Sequence, residues 1–307
     1  MMIVDAHMHI WNKIHGQIGG KTPVTPIKNG MIKIGDTPLL GMPSSHLDCS
    51  AVAQLAIAEF DAAGVDVGVV VQEYMDGPQN EYLLEAMKQF PNRFFGHALP
   101  NFFDKQGVAR EAAALFAKGF RGLKLCGGHL AAQHLALDDP LFMPIYEQMA
   151  AQGAVLAVDL STGEDQVPAM ENILKHWPTL RVAIGHFGMV NRKGWPGQLR
   201  LCRHEHVYIE TGGIVWLYRH EGYPFPGAIS AIEQARREVG LEKLMWGSDW
   251  PRTMVDFTYR QSLDFVRKSA AFSEDEKQLL LCGNAVRLYG LAAPSPAAAP
   301  VGLITEG

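Results

Sequence analysis

Apolar positions in this chain gather into short, nearly continuous runs, and between the runs they recur at helical spacing. The first run, Met2-Ile3-Val4, passes into an alternation, Asp5-Ala6-His7-Met8-His9, that ends at Ile10 and Trp11. From Ser50 the two kinds of segment take turns. The spacing predicts a helix over 50–63 with Ser50 near its N-cap and Gly64 as its stop. A strand over 66–72, a helix over 81–90 and a strand over 94–99 follow. The pattern continues with helix 108–118, strand 119–125, helix 142–152, strand 154–160, helix 167–177 and strand 181–186. It closes with strand 207–210, helix 228–239 and strand 244–249, then two more helices over 257–271 and 273–289. Ser273 and Glu276 read as a capping box at the start of the last one.

Apolar strands that mostly alternate with helices are the pattern of parallel βα units. Runs without a polar face mean that both sides of the sheet are covered. Eight such units in about 250 residues predict an α/β fold, a (β/α)8 TIM barrel. An open doubly wound sheet shares the alternation, but no glycine-rich phosphate-binding fingerprint follows the first strand. Residues 12–49, rich in Gly and Pro, read as a long loop insertion after strand 1 that lies over the active site. A small hairpin within it would turn at Asn29-Gly30 or Gly35-Asp36. Residues 1–291 are expected to form one barrel domain with extra C-terminal helices, and 292–307, rich in Ala and Pro, a flexible tail.

Composition narrows the classes. The chain is 48% hydrophobic and 19% charged, as a large buried interior requires, and its net charge of -5 argues against a general nucleic-acid or anionic-membrane binder. No apolar run is long enough to span a bilayer and the N-terminus lacks a basic, then apolar, leader, so a cytoplasmic protein is expected. The four cysteines are far apart and read as reduced thiols. The twelve histidines say more.

His7 and His9 are two apart on a strand, so their imidazoles leave one face together. Such a pair can hold a metal or bracket a substrate; two hydrogen-bonded histidines in a crowded strand are the plainer alternative. Other strand ends also carry polar residues: Glu73 after strand two, Lys124 and then Cys126 and His129 at strand four, Asp159 and Ser161 at strand five. His186 ends strand six, Glu210 and Thr211 strand seven, and Ser248, Asp249 and Arg252 strand eight. In a (β/α)8 barrel that end carries the active site. Asp249 facing His7 and His186 suits hydrolysis, the carboxylate taking a proton from water while the opposite side polarises a carbonyl. Asp249 and His186 are the candidate catalytic pair. Lys124 and Arg252 are candidates to hold a substrate carboxylate or hydroxyls, with Trp11, Glu73 and His129 as further substrate-binding candidates. For Lys124 the alternative is an ion pair with Asp159 inside the barrel. The aromatic stretch 216–227 reads either as a second pocket wall or as part of a subunit interface, so a homo-oligomer stays open.

D-A-H-M-H-I-W at 5–11, G-H-F-G at 185–188, W-G-S-D-W-P at 246–251 and G-N-A-V-R-L-Y-G at 283–290 together resemble the amidohydrolase superfamily, in its amidohydrolase-related branch. The resemblance implies a (β/α)8 fold and one divalent metal, zinc first, on His7, His9 and Asp249. It makes His186 the strand-six histidine that polarises substrate or water. At strand five, where a ligating histidine is usual, V-L-A-V-D-L-S-T-G offers Asp159 or Ser161, which leaves metal-independent chemistry open. Within the branch the chain resembles lactonases acting on sugar lactones, sulfomuconolactone and pyrone dicarboxylate. The implied activity is opening of a small sugar-acid or dicarboxylate lactone by Asp-assisted attack of water, with a small carboxylate or lactone as the partner. A metal-dependent decarboxylase of an aromatic or muconate-type acid is the first alternative, and a barrel that only binds a ligand the second.

Overall fold

The first strand, β1 (Val4–Met8), is buried at every position, and its neighbour in space is not the next strand in the chain. The intervening strands β2 (Gln17–Ile18), β3 (Thr22–Lys28), β4 (Met31–Ile34) and β5 (Thr37–Leu40) form a separate antiparallel sheet. β1 pairs in parallel with β6 (Val67–Val70), and the sheet runs on through β7 (Phe94–Ala98), β8 (Gly122–Cys126), β9 (Val155–Asp159), β10 (Arg181–Ile184), β11 (Val207–Glu210) and β12 (Leu244–Met245). The two edges of these eight parallel strands meet: Ala6 N donates to the Trp246 carbonyl at 2.9 Å, Asp249 N to that of His7 at 2.8 Å, and His9 N to that of Trp250 at 2.8 Å. The predicted (β/α)8 barrel is therefore the fold. This computed structural model describes residues 2–160 and 163–292; Ser161 and the expected tail beyond residue 292 lie outside the described residues.

The interior of the barrel at the N-terminal strand ends is apolar. Val4, Val67, Val155, Ala183 and Met245 meet Leu288 and Tyr289 of the last helix (Asn284–Tyr289), which closes that end. Asn284, fully buried, donates to the carbonyls of Leu241 at 2.8 Å and Leu244 at 2.7 Å, so the G-N-A motif fastens the start of β12. The opposite end is left for the polar residues.

Three expectations need correction. The first helix spans Ala53–Ala63, with Val52 and not Ser50 at its N-cap; the Ser50 hydroxyl instead donates to Asp48 at 2.7 Å. Gly64 does stop that helix, at φ 80°. The eighth strand ends at Met245, because the chain bends away through Asp249 at φ 58°. The insertion is not a loop with one small hairpin. It turns at both Asn29-Gly30 and Gly35-Asp36 and buries Val24 and Ile32. Gly30 is required at φ 75°, since a Cβ there would stand 2.3 Å from the Met42 carbonyl oxygen. The Ser273–Glu276 capping box is present, and the following helix passes through a π-helical turn at Leu279–Gly283.

Candidate active site

Three imidazoles and one carboxylate converge at the C-terminal ends of β1, β10 and β12. His7 Nδ1 lies 2.7 Å from Glu210 Oε1, His9 Nδ1 3.0 Å from the Val71 carbonyl, and His186 Nδ1 3.0 Å from the Gly212 carbonyl. Each Nδ1 faces an acceptor, so a ring in its neutral form keeps its proton there and presents a lone pair at Nε2, whereas a protonated ring donates from Nε2. The Nε2 atoms point at one another. His7 Nε2 is 3.3 Å from His9 Nε2, which is 3.0 Å from Asp249 Oδ1; His7 Nε2 is 3.9 Å from the same oxygen. Donor atoms of His7, His186 and Asp249 all fall within 4.8 Å of one another. Lone pairs packed this closely attract only through a cation or a proton between them. Two or three imidazole nitrogens with a carboxylate oxygen fit a divalent cation of the zinc type. His186 thus belongs to the same cluster as the H-x-H pair.

A second layer holds this floor. Glu210 accepts from His7, from His186 N at 3.0 Å and from Gly212 N. Asp5 accepts from His7 N at 3.2 Å, Ser248 N at 2.8 Å, Ser248 Oγ at 2.5 Å and Tyr259 OH at 2.9 Å, tying β1 to the chain after β12. Both are fully buried, and burial pushes both carboxyls up to about 7 despite these bonds. His186, Phe187, Met189 and Asp249 all adopt positive φ, a conformation costly for residues with side chains and one that the surrounding hydrogen bonds must enforce.

The charges on the floor are set by their neighbours. Burial alone would raise the Asp249 carboxyl, but the bond from His9 and the charge of His186 outweigh it and hold the group well below the usual carboxylate range. Burial alone would lower His186; Asp159, Asp249 and Glu210 outweigh it and raise the imidazole. His7 is lowered by burial and by His186 and His9. Asp249 Oδ2 also receives the Trp216 indole N–H at 3.3 Å. Above this floor is a cavity of about 590 Å³ whose lining includes His9, His186, Asp249, Asp159 and Glu73.

The sequence pattern of the amidohydrolases matches residues 4–291, nearly the whole chain. The chain belongs to the amidohydrolase family. This amidohydrolase is 26% identical over 301 residues to a 4-sulfomuconolactone hydrolase of Rhizobium radiobacter, covering 94% of this chain and 89% of the relative. Among solved structures it is similar to a probable 2-pyrone-4,6-dicarboxylic acid hydrolase of Acinetobacter baumannii with citric acid bound, at 22% identity and a TM-score of 0.68, covering 94% of this chain and 100% of that one. A 5-carboxyvanillate decarboxylase of Sphingomonas paucimobilis is similar at 18% identity and a TM-score of 0.55, covering 80% and 84%. These two structures share the barrel fold.

The remaining candidates are distributed unevenly in this amidohydrolase. Glu73 and His129 line the cavity. Lys124 does not. Its ammonium is buried between Asp159 Oδ2 at 2.5 Å and Glu73 Oε1 at 3.1 Å, the alternative that the sequence left open. Burial would lower this lysine, but Asp159 and Glu73 raise it, so it stays charged. Arg252 borders the cavity, yet its guanidinium is engaged by Asp76 and by the Gly41 carbonyl at 3.0 Å. Trp11 is absent from the lining and fully buried; its indole donates to the Cys49 carbonyl at 2.7 Å, and the Arg252 guanidinium lies 5.0 Å from its ring centroid. Trp11 and Arg252 therefore fasten the insertion, for which an indole and a guanidinium with fixed acceptors are suited. Asp5 and the full role of Glu210 were not singled out from the sequence. The signal for each was a carboxylate within or ending an otherwise apolar strand.

Proposed function

We propose that this amidohydrolase opens a small lactone by adding water across the ring ester. The observation that carries the reading is the convergence of an ionised Asp249 with the imidazole Nε2 atoms of His7, His9 and His186 on the cavity floor. The similarity to a 4-sulfomuconolactone hydrolase over 94% of the chain supports it. Water held by Asp249 gives its proton to that carboxylate as its oxygen forms a bond to the ring carbonyl carbon. His186, raised by its acidic neighbours, faces the carbonyl oxygen and holds the negative charge that develops there. The carbonyl then re-forms, the ring C–O bond breaks, and Asp249 returns the proton to the departing alkoxide. The product is a hydroxy acid. A divalent cation held by His7, His186 and Asp249, with His9 beside them, would take the place of the His186 proton, supplying Lewis-acid polarisation of the carbonyl and a more acidic water.

Acid release from a panel of γ- and δ-lactones at constant pH tests this reading. Turnover that disappears in Asp249→Asn supports it. Release of carbon dioxide from an aromatic acid, with no lactone opened, would move the assignment to the decarboxylase alternative.

A further inference from the structure

Part of the cavity lining is carbon. Ile18 ends β2, Leu39 and Leu40 end β5, and Met75 follows the second barrel strand; all four line the cavity. Ile18 and Leu40 are 36% and 41% exposed. Apolar side chains left in water beside a polar floor favour a ligand that covers them. The wall that carries them is preformed. Arg252 bonds the carbonyl of Gly41, the next residue after Leu40, and pairs with the buried Asp76. The same lining also holds Arg192, Arg219 and Asp256, with Arg219 Nη1 3.3 Å from Asp256 Oδ2. A hydroxyl-rich ring substituent laid on Ile18, Leu39, Leu40 and Met75 would lose water to four side chains that offer no hydrogen-bond donor or strong acceptor of their own. An alkyl or aryl substituent would lose nothing.

We infer that the preferred substrates are lactones whose ring carries an apolar substituent, alkyl or aryl, seated against Ile18, Leu39, Leu40 and Met75, and that polyhydroxylated sugar lactones are poor ones. This rests on the lactonase reading, with Asp249 and His186 acting on the ring ester below.

The test is kcat/KM for δ-lactones bearing methyl, ethyl, propyl and butyl groups, with a sugar δ-lactone alongside. In the wild-type protein kcat/KM rises about two- to fourfold per methylene, fourfold being complete transfer from water. In the Ile18→Ser, Leu40→Ser double variant, at positions exposed enough to tolerate the change, the rise per methylene shrinks. A flat or falling series, a preferred sugar lactone, or a rise unchanged in the double variant overturns the inference. If no lactone is opened, the lactonase reading fails separately. The dissociation constants of the corresponding 5-hydroxy acids, measured by calorimetry, then decide: affinity that climbs with chain length and flattens in the double variant upholds the apolar seat, and affinity independent of chain length removes it.

Discussion

Asp249 is held where a residue with a side chain is rarely found, at φ 58°, and its carboxylate is wrapped by His9, His186 and the Trp216 indole. Asp249→Asn keeps the shape and removes the proton acceptor. We expect kcat to fall by about 10³ or more with product affinity nearly unchanged, as read by steady-state kinetics and calorimetry. His97 makes a different prediction. It is fully buried on β7, its Nδ1 donates to the Val70 carbonyl at 3.1 Å, and Nε2 has no partner among the described residues. Burial lowers its pKa to about 3. The folded state therefore binds fewer protons than the unfolded chain once pH drops below the ordinary histidine value of 6.5. Its contribution is present above that value and is lost as pH falls towards 3, at up to about 1.4 kcal/mol per pH unit. Urea unfolding between pH 6.5 and 4 should show a shallower decline for His97→Asn than for the wild type. The polar residues that end apolar strands were legible because desolvation makes them conspicuous: His7, His9, His186 and Asp249. Those that act through distant partners were not. Asp5 meets Ser248 across 243 positions and Glu210 meets His7 across 203, and no local pattern encodes such pairings.

Most barrel strands and helices were readable to within a few residues because each βα unit repeats one apolar pattern, but the helix Trp195–Leu201 between β10 and β11 was missed. The insertion was read less well. Its strands are short, half exposed and broken by proline, so the sequence offered turn signals without the alternation that marks a buried sheet. One tie of this insertion to the barrel is Arg252, which is held by the buried Asp76 and donates to the Gly41 carbonyl at 3.0 Å, beside the backbone bonds from His15 to Asp76 and from Gln17 to Tyr74. Arg252→Met keeps carbon against Trp11 but strands the Asp76 carboxylate, which is 2% exposed, without its cation. Removing one partner of a buried pair costs about 3 kcal/mol or more, so the denaturation midpoint should fall. Limited proteolysis should then cut first between residues 12 and 51, and KM for an alkyl lactone should rise more than kcat falls. Asp76→Asn combined with Arg252→Met should recover much of the stability, since the stranded charge is gone. An Arg252→Met protein as stable and as protease-resistant as the wild type would show that the insertion is held by its other ties, the Trp11–Cys49 bond and the backbone bonds to Tyr74 and Asp76 among them.

At the scale of the whole molecule, the site exists only when the barrel closes. His7 and His9 lie on or just after β1, His186 follows β10 and Asp249 follows β12, so the donors come from both sides of the seam between the first and last strands. The unfolded chain has no such site, and an ion that binds the folded state alone stabilises it by mass action. At a hundredfold excess over its dissociation constant the gain is about 2.7 kcal/mol, roughly 4 °C in melting temperature for a chain of this size. The fixed Nδ1 acceptors mean that the imidazoles are already aimed before an ion arrives, so chelation should lower the melting temperature without changing the far-ultraviolet circular dichroism at 25 °C. Zinc, manganese and cobalt, added in turn to chelated protein, should each be tried for recovery of the shift. His7→Ala should abolish the recovery. His204→Ala, at a histidine whose imidazole pairs with Glu171 at 2.9 Å away from the cavity, should retain it. If no ion shifts the wild-type melting temperature, the Nε2 atoms share a proton with Asp249 instead. Hydrolysis would then rest on the base and the hydrogen-bonding imidazoles alone, the metal-independent chemistry left open by Asp159 or Ser161 at strand five.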